Sequence, residues 1–213
     1  IDMKTIPVEL KDKLHMSASY IDTRIKAADA FLNLFSHHSY NMVRFFSMHV
    51  ANDLSKLLEK NKFDIIQLET LFCTPYIETI RKYSKAKIVL RSHNVEHIIW
   101  ERLAVSEKKI LKKKYLNLLA GRLKQYELKT LSAVDGIISI TSVDENIFKS
   151  LGFKGPILSI PLGIDVNDYV NSTSEKSEMV LYHLGLMDWL PNLEGVEWFL
   201  KECWTKIHQY NPQ

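Results

Sequence analysis

Glycine is scarce in this chain. There are seven in 213 residues, and six of them lie at or after Gly136. The first half therefore has few glycine turns and should be rich in helix. Only two cysteines occur, Cys73 and Cys203, at no metal or redox spacing, which makes a reducing compartment the default. No apolar run approaches the roughly 18 residues that a membrane-crossing helix needs, and the start lacks the charged-then-apolar pattern of a secretion signal. The chain has no Gly-x-Gly-x-x-Gly, no P-loop and no Ser/His/Asp order at a telling spacing. It has no metal-ligand cluster either, since His37-His38 is too isolated to hold an ion convincingly. With 46% hydrophobic and 25% charged residues there is ample material for a core in an ordinary globular protein.

The stretch Ala86-Lys-Ile-Val-Leu-Arg-Ser-His-Asn-Val-Glu-His97 is the most informative. Ile88-Val89-Leu90 reads as a parallel strand covered on both faces, and it stops at Arg91, Ser92, His93, Asn94, Glu96 and His97. In open α/β sheets ligands bind just beyond the carboxyl ends of such strands. From residue 64 onward, strands and helices alternate. Strands are expected at Asp64–Leu68, Lys87–Leu90, Asp135–Ile140 and Pro156–Ile160. Helices are expected at Tyr76–Tyr83, at Ile98–Leu131 with a break near Ser106, and at Ser142–Leu151. The alternation predicts a parallel sheet with helices on both faces. Ahead of it, helices are expected over Asn41–Lys62 and Arg24–Phe35, while Met3–Tyr20 fits no single assignment. Phe45-Phe46 and Trp198-Phe199 read as core.

A polar stretch from Asn167 to Glu178 reads as a linker. After it, Met179–Leu184 reads as a strand and Leu193–Tyr210 as the following helix. The expected organisation is a domain over 1–166, a linker over 167–178 and the opening of a second α/β domain over 179–213. Both ends look cut, so we expect a piece of a longer protein.

Each candidate residue also has a plainer explanation. His93 at a strand end can bond a hydroxyl or phosphate, or move a proton near neutral pH. It could equally cap the helix that follows. Glu69 should lie on the same rim, where a solvated or capping carboxylate is the simpler reading. Gly185 would let a diphosphate approach a helix start, although Pro191 and Asn192 also serve simply to open that helix. Between Lys108 and Lys129 eight cations face one acid, Glu127, so this segment carries +7 of a net +3 and the rest carries −4. Its apolar positions Leu111, Tyr115, Leu118, Leu119, Leu123 and Tyr126 keep helical spacing. Such a helix can lie on an anionic membrane surface, or simply present a solvated face. No nucleic-acid recognition pattern accompanies it.

Together, Phe63–Glu69, Leu90–His97, Asp135–Thr141, Ile160–Asp165 and Leu184–Asn192 resemble the N-terminal half of a family 4 glycosyltransferase of the GT-B fold. The last motif looks like a variant found in bacterial exopolysaccharide sugar transferases. The resemblance implies two Rossmann-like domains and retention of anomeric configuration, with no metal or cofactor. A nucleotide diphosphate-sugar would be the donor and a saccharide or polyprenyl-linked molecule the acceptor. His93 matches the catalytic histidine of the cleft, with Glu69, Arg91, Asn94 and Glu96 on the acceptor side. Gly163, Asp165, Gly185, Asp188 and Asn192 fall on the donor side.

Three departures stand out. The glycine-rich loop after the family's first strand is missing. Met187-Asp188-Trp189 stands where diphosphate-binding basic residues often lie. The acidic donor-ribose motif is expected beyond Gln213. Residues 1–213 alone should therefore transfer little sugar. The parent should act in cell-surface polysaccharide synthesis, in the cytoplasm or attached to the inner face of the membrane, with Lys109, Lys112 and Lys113 contacting anionic lipid. Rival readings are a non-catalytic α/β binding module and a sugar-nucleotide epimerase on the same two-domain layout.

Overall fold

Four short apolar runs pair into one parallel sheet in order β1-β2-β3-β4: β1 (Ile65–Glu69), β2 (Lys87–Ser92), β3 (Gly136–Ser139) and β4 (Ile157–Ser159). The computed structural model describes residues 6–168, 181–187 and 190–210, and it divides into two units, residues 1–163 and 164–213. The sheet belongs to the first unit. Before it come α1 (Val8–Leu14), α2 (Ala27–Asn33), α3 (Tyr40–Val43) and α4 (Met48–Lys60). The helix expected over 41–62 is thus two pieces, broken at residues 44–47.

A 3₁₀ segment (Leu71–Tyr76) and α5 (Ile77–Tyr83) connect β1 to β2. A hairpin of α6 (Glu96–Ser106) and α7 (Ile110–Leu131) connects β2 to β3, and α8 (Ser142–Ser150) connects β3 to β4. The expected break near Ser106 falls at residues 107–109.

Strand residues alternate in direction, so register decides which side chains share a face. Leu68, Leu90, Ile137 and Ile157 form one row. Beneath that row and the fully buried Ile88 pack Leu58 of α4, Ile77 and Ile80 of α5, Leu131 of α7 and Phe148 of α8. The opposite row is Glu69, Arg91, Ile138 and Leu158. Here the structure departs from expectation, because among the described residues the helices that pack on the sheet all lie on one face. Ile65 and Leu158 stay 62% and 60% exposed on the other. The strand order supplies the reason. Every crossover steps the same way, and right-handed crossovers stepping one way place all their helices on one side.

Asp135 anchors the start of β3. It accepts from Arg81 Nη2 at 2.6 Å, the Ile88 N–H at 2.8 Å and Lys87 Nζ at 3.2 Å. The Arg81 guanidinium, with these other donors, holds its carboxyl well below the usual range.

In the second unit a 3₁₀ turn (Val166–Asp168) and a helical run are described. The run comprises α9 (Leu190–Trp198), a π-helical turn (Phe199–Trp204) and α10 (Thr205–Tyr210). Leu181–Leu184 forms no strand, and Met179 and Val180 lie outside the described residues. A strand exists only by pairing, and the described part of this unit offers no second strand. Trp198 is 59% exposed, so it is not core. Phe45 and Phe46 are also not fully enclosed; they stack on Phe72 and Tyr76, with ring centroids 4.5 and 5.6 Å apart.

Candidate active site

The carboxyl ends of β1 and β2 bring together Glu69, Arg91 and His93. Glu69 ends β1 and is the register partner of Arg91, so both side chains leave the open face of the sheet side by side. His93 follows directly after β2. Glu69 Oε2 lies 3.0 Å from His93 Nε2 and 3.2 Å from Arg91 Nη1, and Gln67 Nε2 donates to Oε1 at 2.5 Å. Partial burial pushes the Glu69 carboxyl upward. The hydrogen bonds from His93 and Gln67 and the charge of Arg91 outweigh it and leave the group below its ordinary value. An ionised carboxylate only accepts, so the His93 nitrogen that faces it, Nε2, carries a proton. The imidazole is 38% exposed and within reach of a ligand over the rim.

Backbone conformation supports this arrangement. Thr70, the residue after Glu69, has φ of 72°, a region side-chain-bearing residues rarely occupy. Its N–H donates to the Arg91 carbonyl at 2.9 Å, and its hydroxyl accepts the Phe72 N–H at 3.3 Å. The chain is thereby turned sharply at the rim, and the Cys73 thiol donates to the Glu69 carbonyl at 2.9 Å.

The loop after β2 is held just as closely. Ser92 Oγ donates to the Asn94 carbonyl at 2.6 Å, and Val95 is sunk in the core at 3% exposure. The Asn94 side chain lies near enough to the Glu96 carboxyl to favour its charged form. Glu96 is buried, and its carboxyl is pushed up to about 7, first by that burial and then by the charge of Glu127. His97 and Glu127, 2% and 1% exposed, form a buried pair with Nδ1 2.5 Å from Oε2.

Glu127, Gln67 and Thr70 are absent from the sequence-based site. A signal for Glu127 existed. It is the one acid in a strongly cationic segment, and it stands four residues after Leu123 on the apolar stripe.

The donor-side candidates are placed separately. Gly163 ends the first unit, and Asp165 Oδ1 accepts from the Asn167 N–H and Nδ2, both at 2.9 Å. In the second unit Gly185 lies against Asn192. A Cβ at 185 would stand 2.7 Å from Asn192 Nδ2 and 2.8 Å from His183 Nε2, so one of those side chains would have to move. Asn192 Nδ2 donates to the Leu186 carbonyl at 3.0 Å. Asp188 lies outside the described residues.

A cavity of about 570 Å³ opens elsewhere, among Ser39, Met42, Phe46, Thr74, Tyr126 and Lys129, and contains none of the rim residues. Among the described residues no group of three or more metal-ligating side chains converges, and no helix is long and apolar enough to cross a membrane.

Comparison with curated proteins and with solved structures gives no match. A family model does match, Glycosyltransferase Family 4, over residues 27–168, about two thirds of the chain. The matched span covers the whole parallel sheet and the Glu69–Arg91–His93 rim. The chain belongs to glycosyltransferase family 4.

Proposed function

We propose that this chain is the acceptor-side domain and the opening of the donor-side domain of a retaining sugar transferase. The donor is a nucleotide diphosphate-sugar and the acceptor a hydroxyl of a saccharide or lipid-linked saccharide, in cell-surface polysaccharide synthesis. The bond from the sugar's anomeric carbon to the diphosphate breaks, and a bond to the acceptor oxygen forms on the same face. The acceptor's proton leaves with the departing diphosphate. The observation that carries the reading is the Glu69–Arg91–His93 cluster at the carboxyl rim of the family-matched sheet. Glu69 fixes the His93 ring, which bonds a sugar hydroxyl through its other nitrogen, and Arg91 supplies positive charge nearby. Asn94 binds the acceptor from the exposed side of the loop, with the buried Glu96 behind it. Gly163, Asp165, Gly185, Asp188 and Asn192 bind the donor, and the chemistry needs neither metal nor cofactor.

The test is sugar transfer by the natural full-length chain, measured beside donor binding. His93→Ala should lower kcat on the order of 100-fold while donor Kd changes only a few-fold. Donor binding without transfer in the unsubstituted protein would leave a binding module. Interconversion of free sugar nucleotides would make it an epimerase.

We propose in addition that the α6–α7 hairpin meets an anionic membrane on the inner, cytoplasmic side. Residues 108–114 are all exposed, and five of the seven are lysine. Ile110 and Leu111 among them are 72% and 83% exposed, so the apolar stripe does not bury its first turn as the helical spacing suggested.

A further inference from the structure

Helix α6 starts with no capping side chain of its own. One carboxylate from the neighbouring helix does that work. Glu127 Oε1 accepts the Glu96 N–H at 3.1 Å, and Oε2 accepts the His97 N–H at 3.2 Å while lying 2.5 Å from His97 Nδ1. Burying a carboxylate is costly unless donors satisfy it, and an aliphatic residue would extend the Leu119–Leu123 stripe without that cost. The position needs an acid for what it holds.

What it holds is the far end of the His93 loop. The near end is fixed by β2 and by the Ser92 hydroxyl on the Asn94 carbonyl, and the middle by Val95 in the core. The His93 side chain meets Glu69 from that loop. If the first turn of α6 shifts, the loop shifts with it.

We propose that Glu127 is a positioning residue for His93. It pins the first turn of α6 and so keeps His93 Nε2 on Glu69. The idea rests on the transferase reading only for what His93 then does to substrate.

The experiment compares Glu127→Leu and Glu127→Gln with the unsubstituted natural full-length protein. Long-range proton–nitrogen NMR of the histidine rings reports which nitrogen of His93 carries the proton. Steady-state kinetics give kcat and KM apart. In folded Glu127→Leu, His93 should lose its uniform Nε2–H signature. Its kcat should fall about tenfold or more, because small misplacements of a reacting group are expensive, with donor KM within about threefold. Glu127→Gln keeps one acceptor oxygen and should fall between the two, in both the ring signature and kcat. An unchanged His93 signature in folded Glu127→Leu overturns the proposal. If that variant does not fold, an unchanged signature in Glu127→Gln does the same. Should the unsubstituted protein transfer no sugar, the transferase reading fails, and the NMR comparison still decides whether Glu127 positions His93.

Discussion

Two glutamates, Glu69 on the rim and Glu96 three residues after His93, are treated in opposite ways by the fold. Glu69 is drawn below its ordinary value by His93, Gln67 and Arg91 despite partial burial, so it is the fixed negative charge of the site. Glu96 is buried beside Glu127 and is pushed up to about 7, so it is the carboxyl that changes state near neutrality. An unfolded glutamate titrates near 4.5, so between about pH 4.5 and 7 the folded chain holds more protons than the unfolded one. Stability from this group is complete below that window and is lost as pH rises through about 7. The loss is at most about 3 kcal/mol, from 1.36 kcal/mol per pH unit. Glu96→Gln imitates the protonated form. We expect it to raise Tm by several degrees at pH 8 and to leave Tm nearly unchanged at pH 4, as thermal melts across pH would show. Equal shifts at both pH values would mean that Glu96 stays neutral throughout.

At the scale of elements, α7 changes character along its length. Its last three turns bury Leu119, Ala120, Leu123, Glu127 and Leu131, while its first turn is solvent-exposed on all sides. Because Glu127 meets the start of α6, the connecting turn lies at the hairpin's far end, with Lys112 about 22 Å along the helix from Glu127. Within that end Lys112 pairs with Glu107 at 2.6 Å and Lys113 Nζ reaches the Val105 carbonyl at 3.3 Å. Each lysine near an anionic surface contributes about 1 kcal/mol, so three or four give measurable attachment. The protein should sediment with anionic vesicles and not with neutral ones. Attachment should disappear in high salt or when Lys109, Lys112 and Lys113 become Glu. Equal recovery in the supernatant with both lipids would reduce the lysines to a solvated face.

Across the first unit as a whole, one core serves the sheet and the helices packed on it. Phe148 of α8 is fully buried at its centre, in contact with the same cluster as Leu58 of α4 and Ile77 of α5. Phe148→Ala should therefore cost about 3–5 kcal/mol. In urea the midpoint should move to lower concentration in a single step, with helix loss and tertiary fluorescence changing together. Separate transitions would show that α8 and β4 unfold on their own. The rim lies on the exposed side of this sheet, so a folded variant with a smaller core keeps its site residues in place.

The order of elements was legible because it depends on local pattern. Short β-rich runs ended by polar residues marked β1 to β4 to within two residues, and helical spacing marked α4, α7 and α8. The candidate rim residues Glu69, Arg91 and His93 stood out because strand ends are visible in sequence. Other features depend on partners distant in the chain, and only the tertiary structure decided them. Uniform crossover direction put the packed helices on one face, which no single strand's composition could show. Pairing decided whether Leu181–Leu184 formed a strand, since a strand is not a property of one segment. Glu127 looked like a stray acid in a basic helix until α6 folded back against it, 31 residues away in sequence, and gave its carboxylate two N–H groups and an imidazole to hold.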